Sequence, residues 1–391
     1  MYRTFESDRS KSRYDKALKR FYSERGTMTE PRYGIWIPVY GNCGAMNHPQ
    51  EPRNASYDRA KTLVRWAEEC GFTTTLIAQH LLNPRNSELD QLETWTTAAA
   101  LAEATRNIEI IAAIKPLLFH PTVLAKMALN IDAISNGRFA INLVSAWFKP
   151  EMEKTGIPFP SHDDRYRYSE EWIQVGKALW SGDRVNFHGK YFNVTDLNLL
   201  PTAIAQPRPR VYLGGESDPA RNLAAQEADV FFLNGRPLEV VRQTIAEVRK
   251  LPRHANPLRF AMSAFVIARS TDAEAQEEFR RLSELVAQDD RSELIRGIDA
   301  EVVMFKNMAK YPSIGSNGGT AAGLVGSYDR VADRIAEFVD AGVDTFMLQF
   351  QPFTTEMSRF ADEVMPRVRS LAAMSSSRWR AATTARTTMS R

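Results

Sequence analysis

Two kinds of stretch alternate along the chain. Short apolar runs rich in β-branched and aromatic residues occupy positions 33–39, 73–78, 108–114, 138–144, 211–215, 229–234, 260–268 and 345–350. Between them apolar residues recur at helical spacing, as in Val123, Leu124, Met127, Ile131 and Ile134 closed by Gly137, or Val331, Ile335, Phe338 and Val339 closed by Gly342. A glycine just past the last periodic residue is a common helix stop, because it enters the left-handed region without strain. Runs that lack polar alternation suit strands buried on both faces. Eight of them with helices between predict a closed parallel sheet wrapped by helices. The expected fold is an α/β TIM (β/α)8 barrel with inserted loops. Periodicity alone leaves an open doubly wound sheet as the alternative.

The barrel is expected over residues 31–373. Residues 1–30 are polar and charged and read as a mobile N-terminal arm, and residues 374–391 are a low-complexity run of Ser, Arg, Ala and Thr that reads as a disordered tail. Three connections are too long to be plain turns. Residues 145–162 follow the fourth strand, residues 183–210 contain a hairpin pattern turning at Gly189, and residues 289–327 are Gly-rich towards their end. Long loops in compact domains are commonly functional, and the last is the candidate lid.

Polar residues at the strand ends supply the candidate chemistry, since barrel enzymes work at the carboxyl ends of their strands. After the fifth strand come Gly214, Gly215, Glu216 and Ser217, running into a helix that Ser217 or Asp218 caps. Two glycines permit close backbone approach and a helix start presents free N–H groups, which suits a phosphate. A plain strand-to-helix turn with Pro219 satisfies the same residues, and Glu216 would repel an anion. Asn142, in register with Val144, points into the barrel near the end of the fourth strand. Its amide needs partners, which either the edge of a flavin ring or a neighbouring strand supplies. His162, Arg165 and Tyr166 open the next helix and line either a polar mouth or a solvated helix start.

Composition removes several classes of function. Lysine plus arginine exceed aspartate plus glutamate by only three, and the basic excess sits at the two ends of the chain without interleaved aromatics, which argues against nucleic-acid binding. Two cysteines, Cys43 and Cys70, are too few for a disulfide framework and point to a reducing compartment, the cytoplasm. No eighteen-residue apolar stretch or secretory leader occurs, so no membrane attachment is expected. The six histidines are scattered singly, with no metal-ligand pair. A Walker loop and a nucleophile elbow are also missing.

Four stretches taken in order carry a resemblance to a known family: Ile134-Ser-Asn-Gly-Arg-Phe-Ala-Ile-Asn-Leu-Val-Ser, His162-Asp-Asp-Arg-Tyr, Tyr212-Leu-Gly-Gly-Glu-Ser and Gly323-Leu-Val-Gly-Ser. Over residues 31–370 the chain resembles the bacterial luciferase-like, flavin-dependent monooxygenases. The resemblance implies a luciferase-like TIM barrel, commonly dimeric, that takes FMNH2 from a separate NAD(P)H:flavin reductase and uses O2, through a flavin peroxide, to oxidise a small substrate. It implies that Asn142 faces the flavin ring with Ser145 nearby, and that Tyr166 and the turn of Gly214, Gly215, Glu216 and Ser217 hold the phosphate. The family usually has Ser where Glu216 stands, so Glu216 is expected to turn away.

Alkanesulfonate-oxidising members place Arg and His on the seventh strand and Arg in the mobile loop. The matching residues here look like Ser263, Phe265 and Asn317, a poor fit to an anionic head group. The segments around Asn142, His162 and Ser263 are more similar to the dimethyl-sulfone monooxygenase group, whose substrate is neutral. Trp147 and Glu151 resemble positions of the pyrimidine ring-opening oxygenase, where the Glu151 position contacts the heterocycle. Trp147, Phe265 and Asn317 are thus the expected substrate contacts, and Asn142, Glu151 and His80 the expected catalytic residues. His80 is expected to donate a hydrogen bond or shuttle a proton near neutral pH. Oxidative cleavage of an N-heterocycle such as a pyrimidine or riboflavin, a deazaflavin-dependent dehydrogenase, and a flavin-binding protein without catalysis remain as other readings.

Overall fold

The structure, a computed structural model, describes residues 30–253, 256–297, 303–311 and 313–374. Apart from Glu30 and Met374, the expected N-terminal arm and C-terminal tail lie outside the described residues. Eight strands close into a barrel: β1 Arg32–Trp36, β2 Thr74–Ile77, β3 Glu109–Ile114, β4 Phe139–Leu143, β5 Arg210–Gly214, β6 Val230–Leu233, β7 Arg259–Phe265 and β8 Thr345–Gln349. All eight neighbouring pairs are parallel, and β8 closes on β1 with Tyr33 opposite Phe346 and Ile35 opposite Leu348. Every expected strand is therefore in the barrel, and the open sheet is excluded. β2, β3, β4 and β6 are buried at each position, which is why their sequences read as unbroken apolar runs.

Helices return the chain between strands, and their ends are set by side chains. Ser56 caps Tyr57–Glu69, Ser161 caps His162–Trp180, Ser217 caps Asp218–Glu227 and Ser327 caps Tyr328–Ala341, each hydroxyl accepting from a backbone N–H three residues on. Gly342, at φ 111°, ends the last of these as expected. The helix Pro121–Ser135 departs from the expected stripe: Leu124 and Ile131 are buried, but Val123 and Ile134 are exposed. Its inner face is made instead by Ala125, Ala128 and Asp132. Small residues let the helix lie close to the barrel, and the buried Asp132 carboxylate accepts from Ile204 N–H (2.7 Å) and Ala205 N–H (3.0 Å), anchoring the segment after the hairpin.

The long connections carry structure of their own. Residues 145–162 include the short helix Lys149–Lys154, and the expected hairpin forms from Val185–His188 and Asn193–Leu197, with Gly189 N–H bonded to Phe192 C=O. The seventh run does not continue as one strand. It leaves the barrel after Phe265, and Ile267–Arg269 pairs with Val325–Ser327 in a separate parallel ladder, so the candidate lid contains a strand despite its glycines.

The barrel floor is held by charge. Glu109 opens β3, Arg32 opens β1 and Arg210 opens β5; the carboxylate accepts from both guanidiniums and from the Tyr212 hydroxyl (2.9 Å). The three strands are alternate ones, so a single carboxylate ties together one layer of the barrel. Glu109→Ala would leave two arginines facing each other with only partial solvent screening. The expected loss is about 2 kcal/mol, less than for a sealed pair because both arginines reach water. Urea unfolding of the variant against the parent protein measures it.

Candidate active site

Parallel closure brings all strand ends to one mouth, and a cavity of about 230 Å³ opens there. One wall residue from each of β1 to β6 or the turn after it marks the ring: Trp36, His80, Lys115, Asn142, Gly214 and Phe232. Asp289, Arg291, Ser313, Gly315, Ser316 and Asn317 bring the candidate lid segment into the same wall.

On the β2–β4 side lies a buried charge cluster. Lys115 follows the last residue of β3 and is 2% exposed; its ammonium donates to Glu151 Oε2 and, at 3.1 Å, to His80 Nδ1. Glu151, in the short helix Lys149–Lys154, is fully buried, and its other oxygen accepts from the N–H groups of Leu81 and Leu82. Burial alone would raise the Glu151 pKa, but the charge and hydrogen bond of Lys115 overcome it and hold the carboxyl at about 2. Burial and the neighbouring ammonium push His80 down to about 4, and burial lowers Lys115 against the pull of Glu151. His80 Nδ1 is nearer Lys115 than the carboxylate at 3.5 Å, whose facing oxygen the two amides already occupy. Nδ1 therefore accepts, and the proton sits on Nε2. His80 is neutral at pH 7, and the paired Lys115 and Glu151 add no net charge to the cluster.

Across the mouth, Asn142 lies within β4, 4% exposed, and its Oδ1 has no partner among the described residues. Gly214 and Gly215 follow on β5; nothing crowds Gly214 closer than Asn142 Oδ1, 3.8 Å from where a Cβ would stand. At Gly215, with φ 152°, a Cβ would strike Ala220 at 2.5 Å and approach the Tyr166 hydroxyl at 3.2 Å. That hydroxyl bonds with Ser217, and burial raises its pKa against that bond and the charge of Arg165. The cap of helix Asp218–Glu227, a bare glycine turn, a neutral phenol and the Arg165 guanidinium thus meet at one edge of the cavity. This is the donor set a phosphate monoester requires. Glu216 is not turned to solvent. Arg236 pairs with it at 2.8 Å and Asn307 Nδ2 donates to it at 2.8 Å, so its charge is cancelled in the wall.

The expected residues divide by position. Asn142, Ser145, Trp147, Tyr166, Asn317, His80 and the 214–217 turn all reach the cavity, as do His162 and Arg165. Ser145 Oγ donates to Ser169 Oγ (2.9 Å), and the Trp147 ring meets His80 edge-on with centroids 5.5 Å apart. Phe265 does not reach it: it packs in a separate cluster with Ala45, Ile267 and Ile314. Glu151 stands behind Lys115 and His80, with one oxygen held by Lys115 and the other by the Leu81 and Leu82 amides. Burial and the Lys115 charge hold His80 far below its usual pKa, so it is neutral at pH 7. Gln79, Lys115 and Arg236 escaped notice in the sequence, although each closely follows an apolar run. A polar residue there was the available signal.

The luciferase-like monooxygenase family model matches residues 33–345. An FMNH2-dependent dimethylsulfone monooxygenase of Pseudomonas putida is 31% identical over 362 residues, covering 88% of this chain and 97% of the relative. A second protein of that description, from Pseudomonas fluorescens, is 29% identical over 88% of this chain and 96% of its own. Among solved structures, riboflavin lyase with modified FMN and substrate riboflavin superposes with a TM-score of 0.71 at 20% identity, over 88% of this chain and 92% of that one. DmoA from Hyphomicrobium sulfonivorans does so with a TM-score of 0.71 at 20% identity, over 88% of each chain.

Two outcomes follow from the buried cluster. Lys115→Met and Glu151→Gln should each cost about 3–5 kcal/mol by stranding a buried partner, while the double variant should cost clearly less than the sum; chemical denaturation of the three proteins measures this. His80 is neutral when folded down to about pH 4 but takes up a proton near 6.5 when unfolded, so the unfolded chain binds more protons between those values. Its contribution is therefore lost as pH falls through that window. The stability difference between the parent and His80→Asn should shrink from pH 7 to pH 4, and a difference constant with pH would contradict the neutral assignment.

Proposed function

The chain belongs to the luciferase-like monooxygenase family, and we propose from that premise that it is a two-component, FMNH2-dependent monooxygenase acting on a small neutral substrate of sulfone type. The observation that carries the cofactor is the unpartnered Asn142 Oδ1 one strand from a glycine turn equipped for phosphate. Asn142 would meet the ring's polar edge. Ser217, Tyr166, Arg165 and the backbone N–H groups of the turn leading into helix Asp218–Glu227 would hold the phosphate. Reduced FMN, when bound, supplies the two electrons that send one atom of O2 to the substrate and the other to water.

The protein's part is to orient, to exclude water and to keep charge fixed. Trp147 and Phe148 pack on His80 and close that side with aromatic surface. His80 offers Nε2–H as a neutral donor, and Lys115, pinned by Glu151, sets a positive pole in the wall without leaving net charge. We read residues 289–327 as the cover of the site, supported by the wall residues they contribute.

Cancelled charge on both sides of the mouth, Lys115 by Glu151 and Arg236 by Glu216, supports a neutral substrate. So do the two relatives, named for dimethylsulfone, at about 30% identity over nearly their full length. The sealed Glu151 carboxylate speaks against a heterocycle whose ring N–H it would accept. We further propose a cytoplasmic homo-oligomer served by an NAD(P)H:flavin reductase. Both cysteines are free, and exposed Val123 and Ile134 lie three turns apart on one helix beside exposed Leu200 and Ile204, a face suited to a second copy. No described helix is long and apolar enough to cross a membrane.

Incubation with dimethyl sulfone, FMNH2 and ¹⁸O2 should place one labelled atom in the organic product per turnover, read by mass spectrometry. Turnover without oxygen would point to the deazaflavin-type dehydrogenase instead. Asn142→Ala should weaken FMNH2 binding by about tenfold, the worth of one hydrogen bond in a buried site; anaerobic fluorescence titration measures it, and an unchanged affinity would remove Asn142 from the cofactor site.

A further inference from the structure

Three neutral polar groups in the cavity wall are buried without a partner among the described residues: Asn142 Oδ1, the indole N–H of Trp36, and both atoms of the Gln79 amide. Trp36 is 6% exposed and Gln79 3%. An unmet buried donor costs free energy that a ligand can return, so such groups mark where a polar ligand belongs. Asn142 is accounted for by its place beside the phosphate-type turn. Trp36 and Gln79 are not.

Their strands lie away from the strand that carries the phosphate-type turn. Trp36 ends β1, and Gln79 follows β2 three residues after Leu76, the partner of Trp36 in the ladder. In the closed order β1 stands opposite β5, four strands from the Gly214–Gly215 turn by either route. Both residues line the cavity from adjacent strand ends, and the Trp36 ring reaches across the mouth to Phe232. Neither carries charge, the nearby ammonium of Lys115 is already paired, and Arg85 and Arg291 in the wall are matched in number by Asp289 and Asp290. Two neutral N–H donors from adjacent strands suit a strong neutral acceptor with two oxygens on one atom, and Gln79 Oε1 would accept from its polarised C–H groups; an anion would find no net positive charge to balance it.

We propose that Gln79 and Trp36 form the substrate's oxygen-binding subsite, taking the two sulfonyl oxygens of a neutral sulfone. The assignment rests on the sulfone reading above and adds the residues that recognise the substrate. The donors bind the oxygens already present, which leaves the carbon side of the molecule facing the rest of the cavity.

Gln79→Leu and Trp36→Phe test it, the second keeping the ring that packs on Phe232. Each should raise KM for dimethyl sulfone by about tenfold with little change in kcat, and leave FMNH2 affinity as it was. Because Gln79→Leu removes an unmet buried amide, its melting temperature should be equal to or above the parent's, which a structural glutamine would not allow. A lower melting temperature, an unchanged KM, or a parallel loss of FMNH2 affinity would each overturn the subsite. The oxygen-free analogue dimethyl sulfide should bind parent and variants alike. If the parent neither binds nor oxidises dimethyl sulfone, the sulfone reading fails. N,N-dimethylacetamide, a neutral single-oxygen acceptor, then decides the subsite: Gln79-dependent binding, read by titration calorimetry, supports a donor pair, and binding that is absent or independent of Gln79 overturns it.

Discussion

Parallel closure of eight strands is the constraint from which the site follows. Because every strand points the same way, the residue just past each strand end arrives at one mouth, and side chains far apart in sequence become neighbours. Trp36, His80, Lys115, Asn142 and Gly214 owe their meeting to that geometry rather than to any local motif. The floor needs the opposite treatment. There Glu109 gathers two arginines and a tyrosine from alternate strands, so the end without chemistry is held by ionic ties while the other end stays open.

Charge at the open end is plentiful but cancelled. Lys115 is matched by Glu151, and Glu216 by Arg236, each pair largely sealed from water. A buried ion pair contributes little net stability compared with apolar packing, so its retention beside a cavity calls for a use. Here the pairing fixes protonation states: His80 is kept neutral and the carboxylate ionised over the physiological range. The wall is polar enough to orient a substrate, yet offers no net charge to capture an anion. At the Gly214–Gly215 edge the balance differs, since a helix start, two hydroxyls and Arg165 converge where a phosphate is expected.

Much of this was legible in the amino-acid sequence, for definite reasons. Strands buried on both faces leave continuous apolar runs, so all eight were visible; closure was not, because periodicity carries no information on which strand meets which. The Ser217 cap and the glycine stop at Gly342 are local, and the structure has both. Lys115 was not legible, since a lysine after a strand normally lies in water, and its burial depends on Glu151 and His80 about thirty-five residues away in either direction. The same long-range contacts set the surroundings of two residues expected to be catalytic: Glu151 is engaged by Lys115 and two amides, and His80 is held neutral. Phe265 ends its strand in a separate apolar cluster with Ala45 and Ile314, a packing that no local pattern announces. Val123 and Ile134 extended an apolar stripe that the alanine face of their helix had already completed.

The central claim is that the mouth holds reduced FMN between Asn142 and the 214–217 turn. A crystal structure of the protein soaked with FMN tests it most directly. The account predicts phosphate density within hydrogen-bonding distance of Ser217 and Tyr166, and the ring's polar edge against Asn142 Oδ1. Flavin bound elsewhere, or a phosphate away from that turn, would contradict it.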